Sequence, residues 1–534
     1  MDKKKKMFED QAVARAVSSI VARSETQPDI RVLERTYVDS GVLPQLQNRN
    51  AQMLYGRRGT GKSHVLRVLG SAVDREPGSA HFYVDLRLLG SAGQLTDPGQ
   101  PLSSRCVVAF KDLLNRIQSQ LLDIATDPER KSVGTDTEAL DNLSNAINEA
   151  TVAVSARQIS AETVSTTRDR LGGEITMSIK NFGAQVSAES AAEGSSKEAQ
   201  SFEETIRQTV VFASVAQRLD EALSALGIQS FYLLLDEWAS LPRDVQPYMA
   251  EFLKRVVLPS SRMVLKIAAL EYRSTFSIPV GNNNVVGFEV GGDIVANLDL
   301  DDYYVHARTP DRVEGSFEEL LFKHLDAALP DDYLKETLGI RRAADLRSAL
   351  FTERATFVEL VRAGEGVIRD FLGVFAKAYT RAAREGKRKI DLNAVEQSAR
   401  DWYLSDKSTS LSTAQETVLQ RIIRDVIGER KARAFLVERE VANHPMIQSL
   451  FDFRVLHLWT RGYSDKERPG VRYDIYTLDY GTYVDLKRTK AEPQLELLET
   501  DVASEEVVVP FDDKRSIRRI VLDAAILEVN DDSF

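Results

Sequence analysis

Along the first three hundred residues, short apolar runs alternate with stretches of helical spacing. Ala51–Tyr55, His81–Leu86, Phe231–Leu235, Met263–Leu270 and Ile294–Leu300 are five to eight residues long and largely apolar, which predicts buried strands. His64–Leu69, Val107–Ile124 and Thr137–Val154 carry apolar residues at helical spacing instead. Strands alternating with helices predict an α/β fold, a parallel five-stranded sheet with helices on both faces. His81–Leu86 and Ile294–Leu300 are expected to frame it.

The pattern then changes twice. Residues 314–405 read as helices, most clearly Phe317–Ala328, Ala343–Leu350 and Val367–Glu385. From Ser412, a helix over Ala414–Ile427 leads through Ala434–Val437 to a second helical stretch near His444–Phe451, with the recognition helix expected over Val441–Phe451. Extended segments follow at Val455–Thr460 and Val471–Thr477, around the turn-rich Arg461–Gly470. Helix, helix and a two-stranded wing predict a winged-helix layout.

The first apolar run leads directly into chemistry. Gly56-Arg57-Arg58-Gly59-Thr60-Gly61-Lys62-Ser63 matches the phosphate-loop pattern G-x-x-x-x-G-K-[ST] in full, with a strand before it and a helix from His64 after it. Glycines 56, 59 and 61 let backbone amides close around phosphates, and the helix N-terminus adds unpaired N–H groups and a positive dipole end. Lys62 is expected to reach the β- and γ-phosphates of ATP, and the Ser63 hydroxyl to ligate Mg²⁺. Residues Gly56 to His64 are the candidate nucleotide-binding set.

Phe231–Leu235 ends in Asp236-Glu237. Parallel α/β sheets place their chemistry at the carboxyl ends of strands. Asp236 is therefore the candidate second Mg²⁺ residue, and Glu237 the group that polarises an attacking water. Ser63 and Asp236 lie 173 positions apart, although two βα units need only about 60 residues. About 100 residues within 90–215 are an insertion, in which Glu174–Lys180 and Ala184–Glu189 read as a hairpin across Asn181–Gly183.

Composition narrows the class. The 534 residues are 43% hydrophobic and 28% charged, and no apolar run approaches the roughly 20 residues of a membrane span. The basic Met1–Lys6 leads into Phe8-Glu9-Asp10 rather than an apolar stretch, so it does not read as a secretory signal, and a cytoplasmic protein is expected. One cysteine and six histidines without ligand spacing argue against a disulfide framework or a structural metal. Of the net charge of −11, residues 491–534 carry −8, so the other 490 residues are close to neutral and a basic patch among them is compatible with the total. In the wing, Arg461, Tyr463, Lys466, Arg468 and Arg472 suit phosphate contacts, whereas Val441–Phe451 holds no Lys or Arg to read base edges. Contact with the backbone of double-stranded DNA and packing against a protein partner both remain open.

The chain resembles the AAA+ ATPases of the origin-recognition-complex-like group. Beyond the loop and the acids, the likeness rests on Thr36-Tyr-Val-Asp-Ser-Gly-Val-Leu-Pro44 before the loop strand, on Gly364-Glu-Gly-Val-Ile-Arg369-Asp370-Phe in a helical stretch, and on the C-terminal winged-helix pattern. It implies a core over 31–310 preceded by a helical segment over 1–30. A helical lid over 311–407, a winged helix over 408–490 and an acidic extension over 491–534 follow. It also implies that Arg369 is the lid arginine that meets the γ-phosphate, although Ile368 stands where that motif has proline. The slot of the family's small polar sensor falls on Glu271–Ser274, and which of these residues, if any, touches the phosphate is open; Arg273 is a sensor, a finger that reaches a neighbouring subunit or an ordinary surface arginine. The resemblance implies an ATP-hydrolysing protein, assembled with itself or a protein partner, whose nucleotide state controls its grip on DNA or partner. The alternative is a switch in which ATP binding alone gates assembly.

Overall fold

In the computed structural model, residues 7–20, 24–90, 95–97, 99–127, 138–149, 212–280, 284–303, 310–429, 434–464, 470–482, 484 and 520–528 are described. The hairpin expected over Glu174–Glu189 lies outside them, as do Lys466 and Arg468. The chain divides into two units, one of Gly41–Tyr55 and Leu66–Leu298, the other of Met1–Ser40, Gly56–Val65 and Asp299–Phe534.

The first is the sheet unit. Its strands are β1 (Gln52–Tyr55), β2 (Ser79–Asp85), β3 (Ser230–Asp236), β4 (Met263–Ala269) and, after an antiparallel pair β5 (Ser277–Val280) and β6 (Asn284–Gly287), β7 (Val295–Asp299). The main sheet has the order β2-β3-β4-β1-β7, so the two strands expected to frame it stand at its edges. Pairings β2–β3, β3–β4 and β1–β4 are parallel. Phe231–Leu235 and all of β4 are buried, which explains why Phe231–Leu235 reads as an unbroken apolar run, and β4 as one interrupted only by Lys266, rather than as alternating strands. The helices Leu102–Thr126, Phe212–Ala225 and Gln246–Val256 share a continuous core with the sheet through residues such as Phe110, Leu219, Phe252 and Leu233.

Parallel register brings particular ends together. Leu54 pairs with Ala268, and Leu235 with Ile267, so β1 and β3 finish at the same edge of the sheet, one on each side of β4. The chain therefore leaves β1 at the edge where β3 presents Asp236. Lys266, wholly buried in β4, donates to the carbonyls of Asn48 (2.9 Å) and Asn50 (2.8 Å), and burial lowers its ammonium to about 7. It ties the segment entering β1 to the centre of the sheet.

The second unit is mainly helical. Helices α1 (Pro310–Ala328), α2 (Ala343–Leu350), α3 (Arg354–Gly364), α4 (Ile368–Arg384) and α5 (Leu392–Trp402) share a core of Phe317, Phe357, Phe371 and Phe375, which also takes in Val13 and Val17 of the N-terminal helix Gln11–Ser19. The 364–371 motif is a joint rather than continuous helix. α3 ends at Gly364, Glu365 takes φ 47° and Gly366 φ 79°, and α4 restarts at Ile368.

The C-terminal residues of this unit run α6 (Thr413–Ile423), β8 (Ala434–Glu438), α7 (Arg439–Ala442), α8 (Pro445–Asp452), β9 (Leu456–Ser464) and β10 (Arg472–Leu478). Two expectations are corrected. Ala434–Val437 belongs to a strand, making the sheet three-stranded in the order β8-β10-β9. Val441–Phe451 is not one helix, because the chain breaks at Asn443–His444 and restarts with Pro445 in the first turn of α8. Part of the acidic extension docks here: Val521 pairs with Leu436 on β8, and Leu436 N–H donates to Ile520 at 2.7 Å. No helix among the described residues is long and apolar enough to cross a membrane.

Candidate functional site

The loop Gly56–Ser63 runs from the end of β1 into the helix Lys62–Asp74. Gly56, Gly59 and Gly61 take φ of 151°, 85° and 100°, backbone that side chains disfavour. A Cβ at Gly56 would stand 2.7 Å from Thr60 Oγ1, and one at Gly59 would stand 2.8 Å from the Cβ of Arg369. The glycines thus serve the curl of the loop and its close approach to the first turn of α4. Lys62 Nζ lies inside the curl, 2.7 Å from Gly56 O and 3.0 Å from Arg57 O, while Thr60 Oγ1 donates to Arg57 O at 2.9 Å. Ser63 is the helix's second residue and is buried.

Two candidate side chains are engaged elsewhere. His64 Nε2 lies 2.7 Å from the Leu33 carbonyl, and the His64 ring sits edge-on to Tyr37 at 5.6 Å. Arg57 is only 4% exposed. Asp301 takes both its backbone N–H and its Nε at 2.8 Å, Nη2 donates to the Glu365 carbonyl at 3.0 Å, and Nη1 faces His457 Nδ1. Its guanidinium also lies 5.2 Å from the centre of the Phe451 ring. Arg58 is exposed.

Arg369 stands beside the loop, its N–H donating to Gly59 O at 3.1 Å. The next residue, Asp370, is fully buried. Arg454 and Trp402 donate to its Oδ1, the latter at 3.1 Å, and Lys407 Nζ lies 3.0 Å from Oδ2. Phe371 then carries the first turn of α4 into the core. Lys407 also pairs with buried Asp479, which accepts from His457 Nε2 at 3.1 Å. Burial alone raises both carboxyls, but Lys407, with Arg454 at Asp370 and His457 at Asp479, holds them below the ordinary carboxylate range. Burial and the neighbouring Arg57 push the His457 imidazole down to about 3. The ring is therefore neutral, accepting from Arg57 at Nδ1 and donating to Asp479 at Nε2. Breaking one member of such a buried set typically costs about 3–5 kcal/mol, because a charge is left without compensation.

In the sheet unit, Asp236 is 1% exposed. Its Oδ2 accepts from the Tyr83 hydroxyl at 2.6 Å and its Oδ1 from the Glu237 N–H at 2.8 Å, so the carboxylate is fixed in orientation. Glu237 itself takes φ 57°, a left-handed conformation uncommon for a residue with a Cβ and frequent at functional sites. Glu271–Arg273 forms a single turn after β4, with the Arg273 carbonyl accepting from Gln246 at 3.3 Å. Of the wing residues, Arg461 and Tyr463 lie in β9 rather than in a turn, and Arg472 opens β10. Arg461 lies 3.4 Å from Asp299, and Tyr463 is 37% exposed.

The residues that sequence reading missed are Tyr83, Asp301, His457 and Asp370. Only the position of Asp370, directly after Arg369, signalled one of them. Chemically, the loop offers what a chain of phosphates requires: a backbone curl no Cβ could occupy, an ammonium inside it and a helix N-terminus.

A parallel α/β sheet with a phosphate-type loop after β1 and an acid pair after β3 is the class that fold and site define. The chain is similar to the Cdc6p of Pyrobaculum aerophilum, at 10% identity and a TM-score of 0.32, over 89% of this chain and 98% of that one. It is similar to the ORC2 protein of Aeropyrum pernix, at 11% identity and a TM-score of 0.33, over 89% and 98%. It is also similar to the Walker-type ATPase of Pyrococcus abyssi, at 11% identity and a TM-score of 0.34, over 87% and 99%. No family model matches the chain, and no curated protein matches it.

Proposed function

We propose that this protein binds ATP with Mg²⁺ at Gly56–Ser63 and hydrolyses it as an AAA+ ATPase. The observation that carries the reading is the loop itself, with Lys62 Nζ inside a curl that a Cβ at Gly56 would obstruct. Asp236 and Glu237 stand at the carboxyl end of β3, where parallel sheets carry their chemistry, which supports reading them as the acids of the same reaction. The residues fit the nucleotide and its metal: amide donors and an ammonium for phosphate, a serine hydroxyl and a fixed carboxylate for Mg²⁺. When bound, Mg²⁺ supplies neutralisation of charge on the β- and γ-phosphates. Lys62 would share that task, and Asp236, held by Tyr83, would help to hold the metal. Glu237 accepts a proton from the water that attacks the γ-phosphorus, as the bond to the β,γ-bridging oxygen breaks and ADP and phosphate form. Calorimetric titration with a non-hydrolysable ATP analogue, with and without Mg²⁺, tests this. Saturable binding strengthened by Mg²⁺ is expected, and no binding heat in either condition overturns it.

In this reading α1–α5 form the lid, and Arg369 is its phosphate sensor. Arg369→Ala retains the Cβ and the backbone N–H that meets Gly59, so the variant isolates the guanidinium. Turnover should fall by about 10- to 100-fold, in line with a charge-assisted contact of roughly 1.5–3 kcal/mol, with the melting temperature unchanged. Wild-type turnover in that variant would place the sensor elsewhere.

We read the residues from α6 to β10 as a winged helix that meets DNA through its backbone. Its support is the order helix, strand, helix, helix, strand, strand, together with Arg461, Tyr463 and Arg472 on the two wing strands. Binding should be largely independent of sequence and fall steeply with salt. Replacing Arg461, Lys466, Arg468 and Arg472 by Ala should flatten the salt slope by about one unit for each phosphate the variant no longer meets. A gel-shift series at several salt concentrations measures it. No affinity at low salt with ATP bound would make the domain a protein-contact module.

A further inference from the structure

The buried charges around Arg57 and Asp370 form a closed circuit. Arg57 of the loop faces His457 of β9, and His457 meets Asp479 just after β10. Asp479 pairs with Lys407, and Lys407 with Asp370 in the first turn of α4. Asp370 also holds Arg454, which precedes β9, while the preceding Arg369 bonds back to the loop at Gly59. Both ends of the circuit are therefore on the phosphate loop, at its second and fourth residues, and its far side is the C-terminal sheet. His457, Lys407, Asp370 and Asp479 are all at most 2% exposed, so none can exchange its partner for water without the set opening. A buried polar set of this kind is stable when fully satisfied and costly when partly so, which makes it respond as one body. The loop's second residue is thus held by a domain 400 residues away in sequence.

We propose that the C-terminal sheet completes the nucleotide site: His457 and Arg454 are positioning residues for Arg57 and, through Asp370, for Arg369, so that nucleotide binding and the seating of the C-terminal sheet on the loop depend on one another. The inference rests on the reading of Gly56–Ser63 as a triphosphate site. His457 presents its unprotonated Nδ1 to Arg57, and Asp301 and the Glu365 carbonyl hold the rest of that guanidinium. Without His457 the guanidinium loses its anchor on β9, and the Arg57 carbonyl that takes part in placing Lys62 and Thr60 is freed to shift. Linkage makes the effect mutual: whatever binds at the loop must tighten or loosen the C-terminal sheet by the factor with which that sheet changes nucleotide affinity.

The test uses the full chain and a non-hydrolysable ATP analogue with Mg²⁺. Analogue affinity is measured for the wild type, Lys62→Ala, His457→Ala and His457→Asn, alongside amide hydrogen exchange over residues 445–462 with and without the analogue. His457→Ala should weaken binding by about tenfold, within the usual range of coupling between sites. His457→Asn supplies an amide oxygen near the Nδ1 position and should recover most of the loss, which a generic fall in stability would not produce. Exchange over 445–462 should change on binding in the wild type and stay constant in Lys62→Ala. Wild-type affinity in a folded His457→Ala protein overturns the proposal. Should that variant fail to fold, the wild-type exchange decides: a change over 445–462 sustains the coupling and no change overturns it. A wild type that binds no analogue at all counts against the triphosphate reading instead, which separates the two failures.

Discussion

Lys62→Ala should abolish measurable binding of ATP. The ammonium stands inside the curl of the loop, within 3.0 Å of two of its carbonyls, where it would meet the β- and γ-phosphates. Two charge-assisted hydrogen bonds, each worth roughly 1.5–3 kcal/mol, amount to about 10²- to 10⁴-fold in affinity. At the upper end that takes a micromolar ligand to about 10 mM, beyond the reach of calorimetry. Alanine is the best helix former, and Lys62 opens its helix, so the fold should survive the change. Unchanged affinity for the analogue would remove the loop from the nucleotide site.

Glu237→Gln should separate binding from chemistry. Glutamine keeps the shape of the side chain and the backbone N–H that holds Asp236 Oδ1, but it cannot accept the proton of an attacking water. General-base and water-orienting groups typically contribute about 10²- to 10⁴-fold, so turnover should fall by that factor with analogue affinity within a few-fold of wild type. Asp236→Asn should act differently, weakening the Mg²⁺-dependent part of binding, because it alters the carboxylate that Tyr83 and the Glu237 amide hold in place. A Glu237→Gln protein that turns over at the wild-type rate would favour the switch, in which ATP gates assembly without being consumed.

The sheet and the loop were legible because their signals are local. β3 and β4 are buried on both faces and read as apolar runs, and the loop's glycines, lysine and serine are contiguous. β8 was missed because Ala434–Glu438 closes its ladder with Arg472–Leu478, far along the chain. The break at Glu365–Gly366 lay inside a stretch whose apolar spacing continues on both sides of it. Arg57 is legible in the sequence only as a member of the motif: its partners are 244, 308 and 400 residues away, and no spacing rule connects them. Tyr83 escaped for the same reason: only the parallel register of β2 on β3 sets it beside Asp236.

Steady-state phosphate release by the wild-type chain, with ATP, with and without Mg²⁺, and with and without duplex DNA, tests the central claim most directly. ATP hydrolysis that requires Mg²⁺, saturates with ATP and changes when DNA is added is the predicted result. Saturable ATP binding without phosphate release in any of these conditions would contradict the enzyme and leave a nucleotide-gated switch.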